Sequence, residues 1–467
     1  MKILSEFPFE DGFIPLTKNE RTDGQNTFSI LIGKNGVGKS RFLAEIITQY
    51  SRYFSEGALG KYYSGVERFS PNKIIALSTS PFDKFPLSKA HQKIFSRIYT
   101  YIGMRGQSNS STNAMALVSS AAAGLLHKYI KKSRHENFYE IFNLLDLEPK
   151  LSFIFKLNIK RDLELTFDRQ ESLYKLDFEK TGIIWHDESG VPDDTAITEL
   201  LDARSSEIYL QQNLEGKSRI TQALSYVWDR LERKKDALFK LEFTYKENRN
   251  HHSTDSYLVE SLITLLNYGI VRLIDLKLNK SLGKTSQELS LRRASSGEQC
   301  LMVIMLGIAG NIENNSLILI DEPEISLHPS WQEKFMDLLV RVFADYKNCQ
   351  FILATHSPQI VSRLPSENCY ITTMGDNNRI YLAKDYYNRS ADFQLTELFD
   401  APGAMNEYIT RLAFQLLTKV KNSKSTTLAD MEDLTKLKLL QLKLDQTDPN
   451  FELISTVSEV CELYAIN

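Results

Sequence analysis

Gly33-Lys34-Asn35-Gly36-Val37-Gly38-Lys39-Ser40 brings glycines, a lysine and a hydroxyl together in the Gly-x-x-x-x-Gly-Lys-Ser spacing of a phosphate loop. Glycines let successive backbone N–H groups turn inward around phosphate oxygens, and a helix N-terminus beyond them adds its positive dipole end. Asn35, Gly36 and Gly38 would supply the loop backbone, Lys39 would reach the β and γ phosphates, and the Ser40 hydroxyl would ligate Mg²⁺. A second group, Asp321-Glu322, follows the apolar run Leu317 to Ile320. Asp321 would hold Mg²⁺ through its water shell, while Glu322, one residue on, points elsewhere and can polarise an attacking water. A third, Thr355-His356-Ser357, follows the apolar run Phe351 to Ala354. A lone histidine is more often structural, but His356 lies roughly 35 residues after the acidic pair, the length of one strand–helix–strand crossover. That spacing favours a role at the γ-phosphate.

These side chains need elements to aim them. Phe28 to Ile32 reads as a buried strand and Phe42, Leu43, Ile46 and Ile47 as the apolar stripe of a following helix. The runs before Asp321 and Thr355 read as further strands, so all three groups are expected at the C-terminal edge of one parallel sheet, where α/β proteins bind ligands. Ser295-Ser296-Gly297 opens another helix, from Glu298 on, and forms a second N-terminal anion site with hydroxyls available as caps.

Composition bounds the alternatives. With 467 residues, 42% hydrophobic, 25% charged and a net charge of −3, the chain is expected to be soluble and large enough for two or three cores. Cys300, Cys349, Cys369 and Cys461 are too far apart for a zinc site or disulfide framework, which favours a reducing cytoplasm. MKILSEFPFE lacks the pattern of a signal peptide, and Ala114 to Leu126 is shorter than the ~20 residues a membrane span needs.

The order Gly33–Ser40, Ser295–Gln299, Leu317–Glu322, His356 resembles the ABC-type ATPase head, and DEPEISLHP resembles its SMC, RecF and OLD branch. The resemblance spans about half the chain, Met1 to Gly103 and Leu258 to Leu382. It implies an α/β P-loop head with a mixed sheet, interrupted by an α+β insertion and followed by a helical C-terminal region. Residues 1–145 and 258–400 would form the head, 146–257 the insertion and 401–467 the tail. It also implies that ATP and Mg²⁺ are bound between two copies of the chain. Ser295 would then contact the γ-phosphate held by the other copy, and Gly297 would offer a backbone N–H. Ala294 replaces the leucine that usually leads this signature, and no glutamine lid motif is evident in Ile74 to Phe85, where one is expected.

Elsewhere the chain is less specific. Gly103 to Asn113 reads as a loop ahead of an alanine-rich helix, Leu151 to Glu179 as an antiparallel patch and Ser218 to Phe243 as helical. SMC proteins carry long coiled-coil arms here; without sustained heptads, a compact lid is expected. The basic cluster Lys128, Lys131, Lys132, Arg134 suits either a solvated helix face or contact with DNA or RNA. Beyond His356 there is no Asp-x-Asp, and the chain contains no His-Asn-His site, so no nuclease core is expected. Two functions compete. One is an ATP-driven switch for a separate nuclease of the HNH type, similar to ATPase subunits of anti-phage systems such as Septu, where an HNH nuclease is the partner, or PARIS. The other is a RecF- or SMC-like repair or chromosome ATPase that binds DNA itself. Either works as a head-to-head homodimer or larger assembly.

Overall fold

The computed structural model describes the chain outside residues 1–2, 19–23, 57–61, 88–94, 106–112, 131–140, 144, 146, 161–184, 187–189, 232–236, 245–254, 283–284, 294–295, 366, 376–377 and 466–467. Its strands are β1 (Glu6–Phe9), β2 (Gly12–Pro15), β3 (Thr27–Ile32), β4 (Lys73–Ser78), β5 (Tyr99–Gly103), β6 (Leu147–Leu157), β7 (Leu238–Thr244), β8 (Val271–Leu282), β9 (Thr285–Ser290), β10 (Ser316–Asp321), β11 (Gln350–Ala354), β12 (Cys369–Thr373) and β13 (Arg379–Leu382). The helices that matter most are α1 (Lys39–Glu56), α2 (Asn113–Ile130), α3 (Leu214–Trp228), α4 (Ser256–Asn267), α5 (Ser296–Asn311), α6 (Pro329–Val342), α7 (Ala391–Glu397), α8 (Glu407–Ser423), α9 (Leu428–Gln441) and α10 (Pro449–Ala465).

Unbroken apolar runs suit strands that are covered on both faces, and β3, β10 and β11 are buried along their whole length. They lie inside a seven-stranded sheet of order β13-β12-β3-β11-β10-β4-β5, parallel except for the β12–β13 pair. Alternate side chains divide between two cores. Ile30, Ile75, Ile318 and Leu353 join the large core that contains α5 and α6 residues. Leu31, Ile74, Leu319 and Ile352 join a second core with Phe42, Leu43, Ile46 and Ile47 of α1. Because neighbouring strands run the same way, the chain leaves β3, β11, β10, β4 and β5 at one common edge.

A second sheet, order β7-β6-β8-β9, is antiparallel and draws its strands from both sides of the expected insertion boundary. Ser218 to Phe243 is not one helix. Helix α3 ends at Trp228, and Leu238–Thr244 forms β7, with Phe239, Leu241 and Phe243 buried on alternate positions. A two-residue apolar period fits a half-covered strand and not a helix. Leu151 to Leu157 belongs to β6 in this sheet, whereas 161–184 lies outside the described residues.

The alanine-rich segment forms α2, packed on α5 through small residues. A side-chain carbon at Gly310 would sit 2.6 Å from the Leu125 backbone nitrogen and 2.8 Å from the Gly124 carbonyl carbon. Gly310→Ala is therefore expected to lower unfolding free energy by about 2 kcal/mol, because backbone cannot yield as a side chain can. Urea titration measures this, and an unchanged midpoint with an unchanged slope would show that the helices separate freely.

Lys128 on α2 fits neither sequence expectation. It is buried, donates to the Ala309 carbonyl at 2.7 Å and to the Tyr346 hydroxyl, and burial lowers its pKa to about 8. It ties α2 to its neighbour α5 and to Tyr346 instead of facing solvent; Lys131, Lys132 and Arg134 lie outside the described residues. The C-terminal region is helical as expected: α8, α9 and α10 form a unit with its own core of Ile409, Leu416, Leu437 and Val457 among others. Among the described residues, no helix is long and apolar enough to cross a membrane.

Candidate active site

The loop from Gly33 to Gly38 joins β3 to α1. Gly33 is required by packing, since a side-chain carbon there would meet the Met374 carbonyl oxygen at 2.6 Å. Gly38, at φ +96°, adopts a conformation that side chains disfavour and lies against the Phe9 ring. Asn35 and Gly36 sit exposed at the loop tip. Lys39 begins α1 and is almost wholly buried. Its ammonium donates to the carbonyls of Gly33 at 2.9 Å and Lys34 at 3.2 Å. Burial lowers its pKa to about 8, against the pull of Glu322, Glu324 and Asp321.

Asp321 ends β10 beside the loop. Ser40 Oγ donates to its Oδ1 at 3.1 Å, although the two residues are 281 apart in the chain. Burial pushes the Asp321 carboxyl up to about 7, the Ser40 hydrogen bond opposes this, and Glu322, Asp83 and Glu324 add to it. Such a buried acid, already in contact with a second hard oxygen donor, is short of a cation. Among the described residues, no group of three or more His, Cys, Asp or Glu side chains could hold a metal alone. Ser40 and Asp321 therefore fit Mg²⁺ shared with substrate phosphates, the way this ion is ordinarily held, better than a site built from protein alone.

Glu322 adopts left-handed backbone at φ 48°, ψ 55°, a conformation costing about 1 kcal/mol or more for a residue with a side chain. Two hydrogen bonds fix it: its N–H donates to the Ala354 carbonyl at 3.0 Å, and its carbonyl accepts from Thr79 Oγ1 at 3.2 Å. The twist separates two adjacent carboxylates. Asp321 meets Ser40, and Glu322 Oε1 lies 3.7 Å from His356 Nε2. Burial, and then the charge of Lys39, lower the His356 pKa to about 4, so its imidazole is neutral near pH 7. Glu322 thus remains an acceptor with no cationic partner in His356.

Other polar groups were not singled out by the sequence. Pro323–Ser326 makes a 3₁₀ turn that swings Glu324 back, and its Oε1 accepts from the His356 N–H at 2.5 Å. Burial raises the Glu324 carboxyl above its usual range, and its Oε2 has no hydrogen-bond partner among the described residues. Its signal was the third acid of Asp321-Glu322-Pro323-Glu324. Ile74 to Phe85, the stretch expected to hold a lid motif, contributes Asp83. That carboxylate accepts from Arg105 Nε at 3.2 Å and from a terminal Arg105 nitrogen at 2.5 Å, from Tyr101 Oη at 2.7 Å and from the Phe85 N–H at 3.0 Å. Asp83 and Arg105 follow β4 and β5, so they share the sheet edge with Asp321.

The sheet edge thus gathers Lys39, Ser40, Asp321, Glu322 and His356. Ser295 lies outside the described residues. Gly297 is buried in the first turn of α5, where a side-chain carbon would meet the Ser326 carbonyl oxygen and the His328 nitrogen, each at 3.1 Å. Its neighbours are the turn after Glu324, not the phosphate loop.

A family model described as an AAA ATPase domain matches residues 9–361. Over 103 residues the chain is 32% identical to the Retron Ec83 probable ATPase of Escherichia coli, covering 20% of this chain and 18% of that protein. Over 99 residues it is 34% identical to the Retron Vc95 probable ATPase of Vibrio cholerae serotype O1 biovar El Tor, covering 19% of each. Protein ea59 of Escherichia phage lambda is 35% identical over 75 residues, covering 16% of this chain and 14% of that protein. The matches to these relatives thus span a fifth of their length or less. The crystal structure of Stu0660 of Streptococcus thermophilus aligns over 95% of this chain and 96% of its own at 14% identity, with a TM-score of 0.28 that supports no conclusion.

Proposed function

Because the chain belongs to the AAA ATPase domain family, we propose that its hydrolysis of ATP switches a separate nuclease effector in bacterial anti-phage defence. The observation that carries the ATPase part is the convergence of Lys39, Ser40, Asp321, Glu322 and His356 on one sheet edge. Lys39 neutralises the terminal phosphates and keeps them at the loop. Ser40 and Asp321 would hold Mg²⁺, which would supply charge neutralisation at the phosphate oxygens. Glu322 accepts the proton of a water whose oxygen bonds to the γ-phosphorus, while the bond to the β–γ bridging oxygen breaks and ADP leaves. Neutral His356 keeps Glu322 free of a competing cation and offers a ring N–H to the γ-phosphate.

The assembly part of the reading rests on the motif order and not on contacts within one chain. Ser295 and Gly297 of one copy close over ATP held by the other, so two nucleotides are enclosed in a two-fold dimer. The defence part rests on the likeness of a head that lacks a nuclease motif and carries a compact insert to ATPase subunits of anti-phage systems. The retron relatives, each a probable ATPase by name, support the ATPase part.

Two measurements test the proposal. Purified chain with Mg²⁺ or Mn²⁺ is expected to hydrolyse ATP and leave plasmid DNA intact. Nicking that disappears when a residue of this chain is replaced would overturn the separate-nuclease reading. Sedimentation of Glu322→Gln with saturating ATP is expected to show more dimer than without it. An unchanged distribution would remove the composite site.

A further inference from the structure

Glu322 owes its aim to a left-handed backbone that residues with a side chain rarely adopt, so whatever holds that backbone decides where the carboxylate points. In register, Asp321 of β10 pairs with Ala354 of β11 on one side and with Ser78 of β4 on the other. Glu322 is the next residue, and its two peptide groups are tied to these two neighbours. Its N–H donates to the Ala354 carbonyl at 3.0 Å, and its carbonyl accepts from Thr79 Oγ1 at 3.2 Å. The carbonyl also accepts from the Ile325 N–H at 3.3 Å, but that bond closes the turn on itself and moves with it. Among the described residues, Thr79 is thus the one side chain that ties the carbonyl end of Glu322 to the rest of the sheet.

Thr79 suits this task. It directly follows β4 and is wholly buried, and its β-branch restricts χ1 and with it the direction of the hydroxyl. The hydroxyl has one proton, and the Glu322 carbonyl takes it. The Cys300 thiol of α5 is hydrogen-bonded to the same side chain, and burial pushes that thiol up to about 12, so it keeps its proton and donates to the Thr79 oxygen. A thiol–hydroxyl–carbonyl chain therefore runs from α5 to the backbone of Glu322. Relaxed to strand or right-handed backbone, Glu322 would aim its carboxylate elsewhere and leave its place 3.7 Å from His356 Nε2.

We propose that Thr79 is a positioning residue for ATP hydrolysis, acting through Glu322 by holding its left-handed backbone and so the aim of its carboxylate. The inference rests on Glu322 being the base that accepts the proton of the attacking water. Thr79 itself touches neither nucleotide nor Mg²⁺. Its removal leaves Lys39 and the phosphate loop intact, so the loss falls on the chemical step and not on binding.

The test is single-turnover hydrolysis of Mg-ATP by the full chain, with equilibrium binding of labelled ATP beside it. Thr79→Val keeps the shape of the side chain and removes the hydroxyl; it is expected to slow the chemical step by about tenfold or more while Kd for ATP stays within about twofold. Thr79→Ala, which is smaller, carries the same expectation where valine does not fit. Thr79→Ser keeps the hydroxyl and is expected to recover most of the rate. In the Glu322→Gln chain, Thr79→Val is expected to add no more than about twofold, because the group it aims is already gone. A wild-type rate for Thr79→Val, an equal loss with Thr79→Ser, a loss of ATP affinity that accounts for the loss of rate, or full additivity with Glu322→Gln would each overturn the inference. Glu322→Gln at the wild-type rate would remove the base and this inference with it, whereas a slow Glu322→Gln beside a fast Thr79→Val would remove the positioning role alone.

Discussion

Glu322→Gln is expected to retain ATP and to hydrolyse it about 100-fold or more slowly than the wild-type chain, the contribution usual for a positioned general base. The substitution is nearly isosteric, so the left-handed backbone at Glu322 and its hydrogen bonds to Ala354 and Thr79 persist. What is lost is the anionic acceptor. His356 cannot take over, because burial and Lys39 hold its pKa near 4 and its ring lies beside Glu322. Asp321 is engaged with Ser40, and Glu324 accepts from the His356 N–H. Single-turnover hydrolysis measures the chemical step apart from product release, and labelled ATP at equilibrium measures binding. A Glu322→Gln rate equal to wild type would remove Glu322 from the mechanism and shift attention to Glu324.

Lys39→Ala is expected to fail earlier, at binding. Lys39 is a cation surrounded by Asp321, Glu322 and Glu324, all within the range of its charge. Without it, the phosphates would approach three acids with no fixed counter-charge. Losing a charge-assisted hydrogen bond in a buried site costs about 3 kcal/mol, or roughly 100-fold in Kd. The Gly33 and Lys34 carbonyls also lose their donor, so the empty loop should be less ordered. Equilibrium binding of labelled ATP is the readout, and a melting temperature near wild type shows that the fold survives. Binding at wild-type affinity would mean that the backbone N–H groups of the loop are sufficient alone.

Each local element of the site was legible in the sequence because its signal is short-range. An apolar run before a glycine loop and a helical stripe after it require only neighbouring residues, and β3, the loop and α1 lie where that pattern put them. The same holds for the strands before Asp321 and Thr355 and for the helical tail. The helical reading failed where two periods adjoin: the pattern of α3 was carried across 232–236 into the alternation of β7.

What only the tertiary structure decided is where charged side chains end up, because that depends on partners brought in from far along the chain. Lys128 looked like a surface cation until α2 packed against α5 and presented it to Ala309, 181 residues away. Asp83 was one acid among many until β4 and β5 paired and set Arg105 and Tyr101 around it. Asp400 joins Lys34 of the phosphate loop, at 3.6 Å, to Lys443 beyond α9, a link across three separate segments. The sequence determined which residues could do chemistry and on which elements they lie. The fold determined which carboxylate meets Ser40, which meets His356, and which side chain holds the Glu322 carbonyl, because burial and pairing energies act through space and not along the chain.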